Sequence, residues 1–439
     1  MKIFSRRFIA TPFICFAFLF LVISFNGYPQ TSVKAGTTKK CFIVSDIHFD
    51  PLFGAHKDTA LYKKLESLPV SEWQKLFGGS VLQTTVNSDL LGKDANYGVL
   101  TASLANMHKR LPNPAFIVIA GDFIWHGAKP ADSVLKRKSI QFIANLFKAR
   151  FPGVTILPAS GNNDTYGADY ELQDARFLKD FAAAWSPNLP KTAAGQLTKW
   201  GYYAFEKDNL KLMVINTAAL SYGSQYPDQA DSLLNWVRAN LAGAKTKNVW
   251  IVMHIPPGLN GYNLKNMWNV DNAQTFMNSI VQYAPKVKLC IASHTHFNDF
   301  KVFYNAANTP VALMRIVPSV CDNHGNNPSF EIAEFNSTSG QVAHETNYYL
   351  NLAAIPKDKS AGPEVVWTDA ISLPAAIGSD KIGADSFSKF IDNIKSDKSG
   401  QALKSYIKFY TVGTPTDSTK TINKSNYLNY LKADSLKGK

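Results

Sequence analysis

The chain has 439 residues, of which 46% are apolar, 18% charged and 12% aromatic. That composition excludes a disordered or low-complexity polymer and suits one large domain plus a smaller one. The net charge is +13, or about +9 once the four basic residues of 1–36 are set aside, and no block of like charge forms a nucleic-acid patch.

Lys2, Arg6 and Arg7 precede an apolar run from about Phe8 to Phe25. This is the pattern of a secretory signal peptide within 1–36, cleaved between about Gly27 and Gly36. The expected mature protein is secreted or periplasmic. Left uncleaved, a run of about 18 apolar residues would anchor the chain in a membrane. Cys15 lies inside the run and is badly placed for lipid attachment. Cys41, Cys290 and Cys321 have no zinc-like spacing. One disulfide is compatible with export, its pair left open.

From residue 41 onward, short β-rich runs alternate with segments of helical period. The predicted strands are "KCFIVS", "AFIVIA", "VTILPAS", "LKLMVIN", "NVWIVM" and "VKLCIAS". Between them, "YGVLTASLANMHKRL", "SVLKRKSIQFIANLFKARF", "RFLKDFAAAW" and "DSLLNWVRANLAGA" space apolar residues three and four apart. That rhythm predicts an α/β or α+β core over 37–345, with helices covering the sheets. Residues 346–439 read as a mostly helical subdomain, in which 347–373 and 386–412 are helices joined by polar linkers. A polar tail begins near Gly413.

The strand ends carry the chemistry. They deliver Asp46 and His48, then Asp122 and His126, then Asn162 and Asn163, then His254, then His294 and His296. In α/β sheets a site forms beyond the carboxyl ends of the strands. Each piece alone is weak, and a lone strand-end histidine is usually a hydrogen-bonded loop residue; the ordered set reads as a metal site. Seven candidate ligands exceed the four of an ordinary zinc site, so two cations fit better than one. Asp122 can bridge them through its two oxygens. Asp46, His48 and His296 complete the first site; Asn162, His254 and His294 complete the second. Imidazole and oxygen donors without thiolate suit Zn, with Mn or Fe as alternatives, and are too nitrogen-rich for Ca or Mg.

D-x-H, G-D, G-N, H and H-x-H in this order resemble the calcineurin-like metallophosphoesterases. "GDFIWH", "KWGYYAFEKDNLKLMVINT", "NWVRANLAGA" with "VWIVMHIPPG", "PSVCDNHGNNPSFEIAEFN" and "NYYLNLAAI" are similar to the acid sphingomyelinase-like phosphodiesterase branch, over roughly 40–430. The resemblance implies two facing β-sheets flanked by helices and a dinuclear centre between loops, with the same seven residues as ligands. It implies hydrolysis of a sphingomyelin-type or related phosphodiester: a water bridging two cations is acidified and attacks phosphorus in line.

Three departures stand out. Ser293 replaces the glycine of the family's G-H-x-H, and the disulfides common in animal members are missing. In "GNND", residues 161–164, Asn163 takes the slot where most of the family has a histidine that contacts phosphate. An amide donates a hydrogen bond to a phosphate oxygen but is a poor acid. His126 then becomes the candidate to protonate the leaving group; its plainer role is orienting a ligand. G-N-N-D also looks like endopolyphosphatase-like relatives, whose leaving group needs little protonation. This keeps polyphosphate and nucleotide substrates beside phospholipid headgroups, with transient membrane-surface contact among the partners. The reading from another class is a catalytically silent metal- or lipid-binding module. The resemblance brings the loop of His324 near the site, where it reads first as a plain surface histidine and otherwise as a substrate contact; His56, His108 and His344 read as ordinary surface residues.

Overall fold

The structure is a computed structural model that describes residues 37–186, 188–245, 248–261, 263–362, 365, 367–414 and 431. The signal-peptide segment 1–36 and nearly all of the polar tail lie outside the described residues. Among the described residues, twelve strands form two mixed sheets.

The first sheet contains β1 (Thr38–Val44), β2 (Ile117–Ile119), β3 (Ile156–Pro158), β10 (Ser329–Asn336), β11 (Val342–Tyr349) and β12 (Asp369–Leu373), in the order β12-β11-β10-β1-β2-β3. The second contains β4 (Tyr203–Lys207), β5 (Leu210–Val214), β6 (Val249–Val252), β7 (Val287–Ala292), β8 (Asp299–Tyr304) and β9 (Pro310–Ile316), in the order β4-β5-β6-β7-β9-β8. β1, β2 and β3 run parallel, as do β5, β6, β7 and β9. All six strands predicted from the sequence are present, and the four helical segments form the helices Tyr97–Arg110, Ser133–Arg150, Ala175–Trp185 and Pro227–Gly243.

Side-chain alternation explains the layering. On β6, Trp250 and Val252 join the core shared with the first sheet, while Val249 and Ile251 join the core under helices Pro227–Gly243 and Val270–Gln282. A strand buried on both faces needs apolar residues at every position, which is why these runs are continuous rather than alternating. Trp250 meets Phe335 of β10 edge-on at 5.2 Å and Phe116 at 6.0 Å, and its indole N–H donates to the Gly340 carbonyl at 2.8 Å. The two sheets therefore face each other. Emptying this contact with Trp250→Ala would cost about 3–5 kcal/mol.

Farther along the interface, Arg315 of β9 is fully buried and reaches the first sheet. It contacts Glu345 of β11 at 2.7 Å and Glu331 of β10 at 3.2 Å, and donates to Asn298 and to the Asp299 carbonyl.

The C-terminal stretch corrects one expectation. Among the described residues, 347–373 hold no α-helix: they finish β11, make a 3-10 turn at Leu352–Ala354 and form β12, while helices occupy Ala384–Ser396 and Gln401–Tyr410. The expected boundary at 345/346 falls inside β11. Strand period prevails because Ile371 and Leu373 are buried and the intervening Ser372 is exposed, and because Pro356 and Gly362 interrupt any helix. The three described cysteines are buried and unpaired. Among the described residues no helix is long and apolar enough to cross a membrane.

Candidate metal centre

Five strand ends converge on one point. The loop after β1 carries Asp46 and His48, that after β2 Asp122, that after β3 Asn162, that after β6 His254, and that after β7 His294 and His296. His254 Nε2 lies 3.0 Å from Asp122 Oδ2 and 3.0 Å from Asn162 Oδ1. His48 Nε2 lies 3.5 Å from the same Asp122 oxygen and 3.8 Å from Asp46 Oδ1. His296 Nε2 lies 3.6 Å from Asp46 Oδ1. Donors about 2.1 Å from a tetrahedral cation stand roughly 3.4 Å apart, so these separations are those of atoms facing a shared cation. Asp122 belongs both to a group with Asp46 and His48 and to a group with His254 and His294.

Each donor atom is aimed by its neighbours. His48 Nδ1 donates to the Ile124 carbonyl at 2.8 Å and His254 Nδ1 to the Ala120 carbonyl at 2.9 Å, which leaves both Nε2 atoms directed inward. Asn162 donates its Nδ2 to Asp169 at 2.7 Å, turning its carbonyl oxygen inward. The Asp164 carboxylate accepts from the backbone N–H groups of Gly161, Asp122, Phe123 and Ile124, clamping the Asp122 loop to the Asn162 loop. Gly161 is needed for close approach: a Cβ there would stand 2.0 Å from Asp122 Oδ1.

The backbone is strained where the donors sit. Asp46, His48, Asp122, His294 and His296 all have positive φ, between 39° and 74°. Left-handed backbone costs an L-residue roughly 1–2 kcal/mol each, and such strain clusters at functional sites.

The electrostatics point the same way. Burial alone would lower the pKa of His48, but Asp46, Asp122 and Asp94 outweigh it and raise it to about 10. Asp122 and Asp46 likewise raise His254, against burial, to about 9. His294 is pushed down to about 4 by burial and by the charge on His254. The Asp122 carboxyl is held well below its usual range: burial works against this, but His254 and His48 prevail. The carboxylates thus draw positive charge into the cluster. Asp46 Oδ1 and His48 Nε2 are buried without a hydrogen-bond partner. Buried polar atoms are costly when unpartnered, and a cation at this point would satisfy both. The donor set fits divalent metal.

A cavity of about 320 Å³ opens over the cluster, lined by Asp122, His126, Asn163, Tyr170, His324 and Tyr410 among others. His126 stacks on His48 at 3.8 Å, and its Nδ1 donates to Asp94 at 2.6 Å. Asn163 is half-buried and donates to Asp122 from both its backbone N–H, at 2.9 Å, and its Nδ2, at 3.0 Å. His324 stands edge-on to His296 at 4.4 Å. His56 pairs with Asp50, while His108 and His344 lie on a helix and on β11, away from the cluster.

Sequence reasoning missed Asp94, Asp169, Tyr170 and Tyr410. None follows a β-rich run. The Tyr170 hydroxyl lies 3.1 Å from His294 Nε2, and Tyr410 stacks on Phe297 at 4.4 Å. Asp94 precedes Asn96, which caps helix Tyr97–Arg110 by accepting from Val99 N–H. That cap is a visible signal, but it marks a helix start rather than a site.

Residues 40–298, more than half of the chain, match the profile described as calcineurin-like phosphoesterase. The chain belongs to the calcineurin-like phosphoesterase family. As a member it carries the metallophosphoesterase fold. It is 28% identical over 282 residues to sphingomyelinase phosphodiesterase C of Dictyostelium discoideum, covering 59% of this chain and 63% of that one. It is 24% identical to acid sphingomyelinase-like phosphodiesterase 3b of Mus musculus, covering 76% of each chain. It is 23% identical to cyclic GMP-AMP phosphodiesterase SMPDL3A of Bos taurus, covering 72% and 73%. The chain spans less than two thirds of the length of the first of these relatives.

Proposed function

We propose that this calcineurin-like phosphoesterase hydrolyses a phosphodiester, of the sphingomyelin type or related to it, at a centre of two divalent cations. The observation that carries the reading is Asp122, shared between two donor groups whose remaining atoms include a buried carboxylate oxygen and a buried imidazole nitrogen without partners. Asp46, His48 and His296 would hold one cation and Asn162, His254 and His294 the other, with Asp122 available to both. Zinc suits these donors best, with Mn or Fe next. When bound, the cations supply an acidified water at neutral pH and positive charge against the phosphoryl oxygens.

The chain's own residues do the rest. Asp164 and Asp169 fix the loops that present Asp122 and Asn162. Asp94 holds His126 by its Nδ1 and its backbone N–H, keeping the other ring nitrogen toward the cavity. A carboxylate behind an imidazole fixes the ring's tautomer and orientation, as a group that hands a proton to a leaving oxygen requires. Phe297 and Tyr410 form an aromatic wall beside it. Export through the 1–36 segment and contact with a lipid surface belong to the same proposal.

Asn163 favours a second reading. Its backbone N–H and one amide hydrogen point at Asp122, and an amide cannot supply a leaving-group proton. Polyphosphate and nucleotide anhydrides, which leave without one, remain the rival substrates.

The test is turnover of the metal-loaded protein on bis(p-nitrophenyl) phosphate, sphingomyelin and long-chain polyphosphate, with His254→Ala beside it. Diester cleavage that vanishes together with bound metal in the variant is the expected result. Polyphosphate cleavage alone would replace the substrate. Metal binding with no turnover on any of the three would mark a silent module, and activity that survives metal removal would sink the mechanism.

A further inference from the structure

Resting on the phosphodiesterase reading above, we infer that His324 is a substrate-contacting residue, an N–H donor to a non-bridging phosphoryl oxygen. Asn163 spends its backbone N–H and one amide hydrogen on Asp122. His296 directs Nε2 toward Asp46 and Nδ1 toward Cys321 Sγ, 3.5 Å away. His126 has Nδ1 committed to Asp94. With His294 assigned to a cation and its Nε2 3.1 Å from the Tyr170 hydroxyl, the cavity-lining imidazole nitrogens without a partner among the described residues are one on His126 and those on His324. Ring nitrogens of His126, His296 and His324 all lie within 4.8 Å of one another. His126 Nδ1 is held by Asp94, and the His296 nitrogens face Asp46 and Cys321, so the trio does not offer three free nitrogens to one cation. The remaining ring nitrogens of His126 and His324 fit a single small acceptor, an anionic oxygen.

The placement of His324 is built rather than incidental. Its loop is bound to the metal loop by Val320 N–H to the Ser45 carbonyl at 3.0 Å and Cys321 N–H to the Asp46 carbonyl at 3.2 Å. Gly92 and Gly325 N–H both donate to the Asp322 carbonyl. The next residue, Asn323, donates its Nδ2 to Asp94 at 3.0 Å. One carboxylate therefore holds His126 directly and the His324 loop through Asn323, so the two imidazoles share a register. His324 meets His126 at 6.2 Å and 89°. Among the described residues no hydrogen bond fixes its own ring, which leaves its N–H free for a ligand.

The two histidines then divide the work. As water attacks, the phosphorus–oxygen bond to the leaving group breaks and its electron pair stays on the departing oxygen, which takes its proton from His126. His324 holds a phosphoryl oxygen that keeps its bonds throughout. A donor of that kind affects every substrate alike, whereas an acid matters more as the leaving group worsens.

The experiment compares wild type, His324→Phe and His324→Gln in the full chain loaded with zinc. It measures kcat/KM on methyl p-nitrophenyl phosphate and methyl phenyl phosphate, metal content, and affinity for inorganic phosphate. The expected result is that His324→Phe loses about 10- to 100-fold on both esters and in phosphate affinity, keeps its metal, and is largely rescued by the N–H donor of His324→Gln. Phosphate affinity reads the contact even if neither ester is turned over, so failure of the phosphodiesterase reading is seen separately. The inference is overturned if His324→Phe binds phosphate as wild type does, if it loses metal, or if glutamine rescues no better than phenylalanine. A loss that grows with the poorer leaving group would also overturn it, by making His324 the acid.

Discussion

Two buried clusters of charge lie between the same two sheets, and they are built on opposite plans. Around Arg315 the charges sit on regular strands and bring their own cation: Glu345 and Glu331 face one guanidinium, and Asp299 and Lys301 lie nearby. Around Asp122 the carboxylates face imidazoles and neutral amides, and five donors occupy left-handed backbone at strand ends. Unpartnered oxygens occur in both clusters, on Glu331 and Glu345 as on Asp46, so an orphaned atom alone does not mark a site. What separates them is permanence. A guanidinium is charged at every working pH, whereas an imidazole can give up its proton to a metal. The first cluster joins the sheets; the second waits for cations.

The largest effect should come from breaking the second plan at its shared residue. Asp122→Ala removes an atom pair common to both donor groups, and kcat is expected to fall about 10³-fold or more, with loss of both metals by elemental analysis. Retention of full metal content would show that Asp122 bridges nothing. Breaking the first plan should act on stability instead. Arg315→Ala strands two buried glutamates and should cost about 3–5 kcal/mol in urea unfolding, while kcat per folded molecule at saturating metal stays near wild type. A stability change under about 1 kcal/mol would mean the glutamates find other partners or protonate at little cost.

Smaller effects sharpen the contrast. Asp169→Ala frees the amide of Asn162 to rotate, and metal affinity should weaken about 10- to 100-fold. An unchanged affinity would make the Asp169 contact incidental. The last prediction concerns protons. His48 and His254, with pKa values raised to about 10 and about 9, carry protons at pH 7 in the metal-free protein, and cations must displace them. Calorimetry in buffers of different ionisation enthalpy should find about two protons released on loading at pH 7, and progressively fewer above pH 9. The sign for stability follows: raised pKa values stabilise the metal-free fold fully below about 6.5, and that contribution is lost as pH rises through 9 and 10. Proton release that stays constant to pH 10.5 would contradict it.

The parallel strands were legible because each is buried on both faces and so reads as an unbroken apolar run. Their donors were legible because a His or Asp directly after such a run is easily seen. β4 and β8 through β12 were not read; each pairs antiparallel with a neighbour, and several mix residues such as Lys301, Arg315, Glu331 and Glu345 among their apolar ones. A buried ion network thereby looks like solvent-facing polarity. The stretch 347–373 misled for a related reason: its aromatic and aliphatic residues cluster without a clean period, and the pairing of β12 with β11 is a long-range fact. Asp94 and Asp169 were invisible because they act through His126 and Asn162, and nothing in local spacing says which loop will reach which histidine.

The left-handed turns at Asp46, His48, Asp122, His294 and His296 have a consequence for how the centre is filled. Each donor is aimed by the backbone that carries it, so the five turns together act as a mould for whatever the centre holds. Anyone recruiting a different metal to this scaffold inherits the mould as well: new donors at those five positions must tolerate positive φ, which favours Asn and Asp and bars the β-branched side chains.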